Sequence, residues 1–111
     1  MIAAERLKNV LKGTKIPHAE GEYYGKADKY IVWSETANTD TDFADNEPVE
    51  ETTSFVVHYV CKDAENDDTR TIGKMLAVLL RKSGFYVTNR EHITNKREDY
   101  TKEILYINLV N

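Results

Sequence analysis

Residues 52–62 read TTSFVVHYVCK, and strict alternation puts Phe55, Val57, Tyr59 and Cys61 on one face of a strand and Val56, His58 and Val60 on the other. Both faces are apolar. A strand of this kind belongs in the interior of a sheet, with helices covering one side and the other side open to a partner. The remaining elements have to be arranged around it.

The spacing of Ile72, Met75, Leu76, Leu79 and Leu80 predicts the main helix within DAENDDTRTIGKMLAVLLRKSGF. Asn66, Asp67 and Asp68 offer capping oxygens at its start, and Arg81 and Lys82 precede Gly84 at its end. Near the N-terminus, Ala3, Leu7, Val10 and Leu11 share a helical face, with Gly13 placed to end the helix. The connector TKIPHAEGEYYGKAD reads as irregular, because a proline and two glycines punctuate it. KYIVWSE, FYVTNREHI and YTKEILYINLV read as three further strands, the last two joined by the polar TNKRED. The expectation is an α+β domain spanning residues 1–111. It has a four-stranded, mainly antiparallel sheet with two helices packed on one face, in the order α-β-β-α-β-β, and a long acidic loop between the first two strands.

That loop, ETANTDTDFADNEPVEE, contains Glu35, Asp40, Asp42, Asp45, Glu47, Glu50 and Glu51 and no Lys or Arg. The rest of the chain carries the fifteen basic residues against the remaining twelve acidic ones, so the molecule is dipolar rather than uniformly acidic. Charge separated in this way favours oriented association, including with another copy. A slight basic excess with no sequence cluster argues against nucleic acid as a partner. As a calcium loop, DTDFADNEPVEE has Asp40, Asp42 and Glu51 at the first, third and twelfth positions. However, Ala44 stands at the fifth and Asp45 at the sixth, where glycine is needed. Weak divalent-ion binding by the clustered carboxylates fits better than a dedicated calcium loop, and a solvated tip whose charge discourages strand aggregation is the simplest reading.

Other chemistry is sparse. His58 and Cys61 lie three apart on a strand and therefore point to opposite faces. His18, His58 and His92 fall in different elements without metal-site spacing, and the sequence contains neither a glycine-rich phosphate loop nor a Gly-x-Ser-x-Gly turn. The seven tyrosines are not interleaved with Arg and Lys as stacking platforms are; Tyr23 and Tyr24 sit beside Glu20 and Glu22. No cofactor or metal is expected. The single cysteine excludes an internal disulfide. No apolar run approaches the roughly 20 residues of a membrane span, and the opening MIAAERLKNVLKG lacks the apolar core of a signal peptide, so the chain is expected to remain where it is made.

With its elements in this order, the chain resembles the small tail completion or tail terminator proteins of long-tailed bacteriophages. The resemblance rests on an N-terminal helix, the strand YIVWSE, an acidic excursion, the strand SFVVHYVCK, the helix TRTIGKMLAVLLRKSGF and closing strands ending in ILYINLV, and it is strongest from about Lys29 to Leu109. It implies a non-enzymatic virion protein, present in the host cytoplasm during assembly. Such a protein forms a ring, expected to be hexameric, at the head-proximal end of the tail. Its implied partners are the tail tube protein, the head connector protein and its own copies, with no nucleic acid and no membrane. Asp40, Asp42, Asp45 and Glu47 are then candidate assembly-interface residues. Two other classes stay open: a small protein-binding or regulatory module, prophage or host encoded, and a minimal enzyme. A cleft with convergent His, Cys and carboxylates would favour the enzyme, and a flat sheet face with projecting hairpins would favour assembly.

Overall fold

The structure, a computed structural model, describes residues 2–44 and 47–110, with residue 2 and residues 40–44 and 47–50 described by their backbone alone. The order is α1 (Ile2–Thr14), β1 (His18–Glu20), β2 (Lys29–Ala44), β3 (Glu47–Cys61), α2 (Thr69–Lys82), β4 (Tyr86–Asn95) and β5 (Tyr100–Val110). The strands form one mixed sheet in the order β1-β2-β3-β5-β4. The domain is therefore α+β as expected, with β3 inside the sheet, but the sheet has five strands rather than four.

The additional strand is β1, inside the connector expected to be irregular. It pairs in parallel with residues 31–33 of β2, and the Ile31 amide donates to the Pro17 carbonyl at 2.8 Å. Three residues give too little alternation to show in a sequence. Gly21, at φ 80°, then turns the chain away while its amide donates to the Trp33 carbonyl at 2.9 Å.

The larger correction concerns the acidic stretch. It is not a loop: β2 and β3 remain antiparallel from Lys29↔Cys61 through to Ala44↔Glu47, with a register shift between Glu35 and Ala37. Threonines at 39, 41, 52 and 53 explain why polar sequence still pairs, because β-branched side chains suit a pleated backbone whether or not they are buried. Asn38 Nδ2 also donates to Thr53 Oγ1 at 3.0 Å across the pair.

Both helices feed one core. Ala3, Leu7 and Leu11 of α1 and Leu76, Ala77 and Leu80 of α2 pack with Ile31, Trp33, Phe55, Val57, Tyr59, Leu105, Ile107 and Leu109. The fully buried positions of β3 are odd-numbered, so the helices occupy a single face of the sheet. The rings of Trp33, Phe55 and Phe85 meet edge-to-face at 5.9 and 6.3 Å. On α2 the buried stripe is Thr69, Gly73, Leu76, Ala77 and Leu80. Met75 is exposed and Leu79 half-buried, which rotates the buried face away from the expected one.

The helix ends also differ in detail. α1 continues through Gly13, and the left-handed residue after it is Lys15, at φ 61°; Thr14 Oγ1 donates to the Leu11 carbonyl at 2.6 Å. At α2, Asp68 occupies the N-cap without a side-chain cap bond. Asn66 instead accepts from the Asp68 amide at 2.9 Å and from Thr69 Oγ1 at 3.0 Å. Gly84, at φ 95°, closes the other end as expected, with the Phe85 amide donating to the Leu80 carbonyl at 3.0 Å.

Candidate assembly surface

β5 pairs with β3 only as far as Thr52↔Val110, and β1 pairs with β2 only over residues 31–33. Beyond Thr52 the sheet narrows to a two-stranded ribbon extending roughly 17 Å at 3.4 Å per residue. This is in keeping with a molecule of 55 × 24 × 23 Å. Asp40 and Asp42 stand on β2 and Glu47 on β3, while Asp45 lies outside the described residues. The structure thus places three of the four candidate residues on paired strands rather than in a loop.

Register sharpens the electrostatics. Asp40 stands directly opposite Glu51, and alternation puts Asp42 and Glu47 on the same face of the ribbon as that pair. Like charges directly opposite one another in a ladder oppose pairing, each by about 0.2–1 kcal/mol. The other face carries the pairs Thr41↔Glu50 and Phe43↔Pro48. One ribbon face therefore carries one directly opposed carboxylate pair, Asp40 and Glu51, with Asp42 and Glu47 further along it, and a cationic surface would relieve that charge.

A second surface is the sheet face away from the helices. Tyr30, Val32, Val56, His58 and Val60 are half-buried there by one another, and Tyr106 and Val110 remain 37% and 40% exposed. Burial, and secondarily Lys102, holds the His58 imidazole below its ordinary value. Cys61 is buried on the opposite face, where burial pushes its thiol up, away from the thiolate a nucleophile needs. The expected divergence of His58 and Cys61 is what the strand shows. At the end of the open face, Lys62 lies over Tyr30 at 5.7 Å and Lys102 over Tyr100 at 5.6 Å, with Tyr23 stacked on Tyr30 at 4.4 Å. Tyr30, Lys62, Tyr100 and Lys102, with Val60, Glu98 and Asp99, line a cavity of about 470 Å³ of mixed charge.

One polar cluster was not anticipated. Glu103 is fully buried on the helix-facing side of β5. Its Oε2 lies 2.5 Å from His92 Nδ1, and its Oε1 lies 3.4 Å from Arg90 Nε, within ionic range but without an aligned hydrogen bond. α2 makes room at Gly73: a Cβ there would come within 2.3 Å of Glu103 Oε1. The signal was available in YTKEILYINLV, where Glu103 alternates with Leu105, Ile107 and Leu109 on the core face.

No family model and no curated protein sequence matches this chain.

The Glu103–His92 pair continues from His92 Nε2 to the hydroxyls of Thr94 at 3.3 Å and Thr101 at 3.4 Å. Acid, imidazole and hydroxyl follow the order used in acyl transfer, but the chemistry does not follow from the order alone. Thr101 is buried and its hydroxyl donates to the Ile93 carbonyl at 3.2 Å, and both distances to Nε2 are longer than a good hydrogen bond. The network instead compensates a carboxylate held under a helix. Among the described residues, no three His, Cys, Asp or Glu side chains are placed to hold a metal ion.

Proposed function

We propose that this chain is a non-enzymatic assembly protein of the tail-completion type, a subunit that associates into a ring at the end of a phage tail tube and joins tail to head. The observation that carries the reading is the acidic ribbon, which outruns β5 and, among the described residues, has only its own two strands to pair with. Like charge gathered on one face of such an extension, with Asp40 directly opposite Glu51, costs stability in isolation, and contact with a cationic surface on another molecule removes that cost. The element order that underlies the resemblance, with a helix, the acidic excursion, a second helix and two closing strands, supports the same reading.

The test starts from the genes on either side of this one. If one of them encodes a tail tube protein, the purified chain should shorten and cap tubes polymerised from that protein, and electron microscopy should show it at one end only. Tubes of unaltered length with no terminal density would sink the proposal.

A further inference from the structure

The charge complementary to the ribbon lies in the helical layer. α1 and α2 carry Arg6, Lys8, Lys12, Arg70, Lys74, Arg81 and Lys82 against the single acid Glu5. In sequence these basic residues are dispersed; the fold gathers them on one side of the sheet. Within that layer, α2 and β4 enclose a groove of about 400 Å³ lined by Lys74, Ala77, Val78, Arg81, Val87 and Arg90. Lys74, Val78 and Arg81 follow one another at spacings of four and three, so they form one stripe along the helix. Val78 is 46% exposed between the two cations. Arg90 is partly engaged by Glu103, whereas Lys74 and Arg81 make no ion pair among the described residues.

We infer that this α2–β4 groove receives the acidic ribbon of a second copy of the chain. The inference rests on the assembly reading and names its contact. Groove and ribbon match in kind. The groove offers the cations Lys74, Arg81 and Arg90, and one face of the ribbon offers the carboxylate-bearing positions 40, 42, 47 and 51. The contact is made between copies because β2–β3 pairing, which resumes after the register shift between Glu35 and Ala37, carries the ribbon beyond the end of β5 and away from the body of its own subunit. The two surfaces are different patches of one chain, so the association is head-to-tail, the type of contact that closes into a ring when its rotation permits. The mixed-sign cavity at the end of the open sheet face, with Glu98 and Asp99 in its lining, suits an acidic strand less well.

Charge exchange tests this directly. Sedimentation of the full chain at rising concentration and low salt should show association that weakens as salt is added. Lys74→Glu with Arg81→Glu should weaken it about tenfold or more, and Asp40→Lys with Glu51→Lys should do the same. Mixing the two reversed variants should restore it, with circular dichroism showing that both remain folded. Association unaffected by Lys74→Glu with Arg81→Glu would overturn the groove while leaving ring assembly standing. A failure of the mixture to recover would overturn the pairing of these two surfaces. A chain that stays monomeric throughout overturns self-docking, and the tube-capping assay then decides the assembly reading separately. Competition by short duplex DNA that abolishes association in proportion to bound DNA would reassign the groove to a polyanion.

Discussion

The two ends of β2 and β3 have the same backbone and different chemistry. In the body, Ile31, Trp33, Phe55 and Val57 lie under two helices, and each strand has neighbours on both sides. Past Thr52 the same two strands continue as a ribbon rich in Thr, Asp and Glu, with no third strand beside them among the described residues. Strand pairing here does not depend on a buried face, but stability does. A two-stranded hairpin alone is marginal in water, so the body holds the ribbon in register while contributing almost all of the fold's free energy. A protein built this way can vary its ribbon with little effect on folding.

The comparison is broken most severely by core cavities. Leu76→Ala should destabilise the chain by about 2–5 kcal/mol in chemical denaturation, whereas Thr41→Ala in the ribbon should stay within about 0.5 kcal/mol. Equal effects would remove the distinction between the two regions. Next comes Gly73→Ala. Its methyl group collides with Glu103, so the variant should lose about 1–3 kcal/mol despite the gain in helix propensity. In a Glu103→Ala background the same change should become neutral or stabilising, and a double-mutant cycle reads the difference.

Smaller effects run in the opposite direction in the ribbon. Asp40→Asn should raise the stability of the dilute monomer by about 0.2–1 kcal/mol, because it removes repulsion from Glu51. A loss of stability would show that the carboxylates are not in conflict. The smallest effect concerns pH. His58 sits below its ordinary value of 6.5, so the folded chain binds fewer protons there than the unfolded chain. Its contribution is complete above about 6.5 and is lost as pH falls through the window below that value. Unfolding midpoints of His58→Gln should therefore flatten in that window relative to the parent chain.

Much of the body was legible in the sequence because periodicity and capping agreed. The alternation of TTSFVVHYVCK placed β3 inside the sheet, and Gly84 ended α2 as its position implied. Features governed by long-range pairing were harder to read. β1 is a strand only because β2 lies beside it. The acidic stretch looked like a loop because carboxylates are poor strand formers, and its threonines and the pairing with β3 that resumes after the register shift at Glu35/Ala37 outweighed that preference. The buried face of α2 was rotated by Gly73, whose lack of a side chain admits Glu103, so that Met75 faces outward. The Glu103–His92–Arg90 cluster joins two strands across a turn, and only the alternation of Glu103 with the core leucines pointed to it. The α2–β4 groove had no sequence signature, since its cations come from two elements that meet only in the fold.

Amide hydrogen exchange along β2 and β3, measured in the monomer and again after association, tests most directly whether the body stabilises and the ribbon makes contact. Amides paired between residues 31–35 and 55–59 should exchange only with global unfolding in both states. Those between 39–44 and 47–52 should exchange far faster in the monomer and become protected on association. Equal protection of the two regions in the monomer, unchanged when copies associate, would contradict the account.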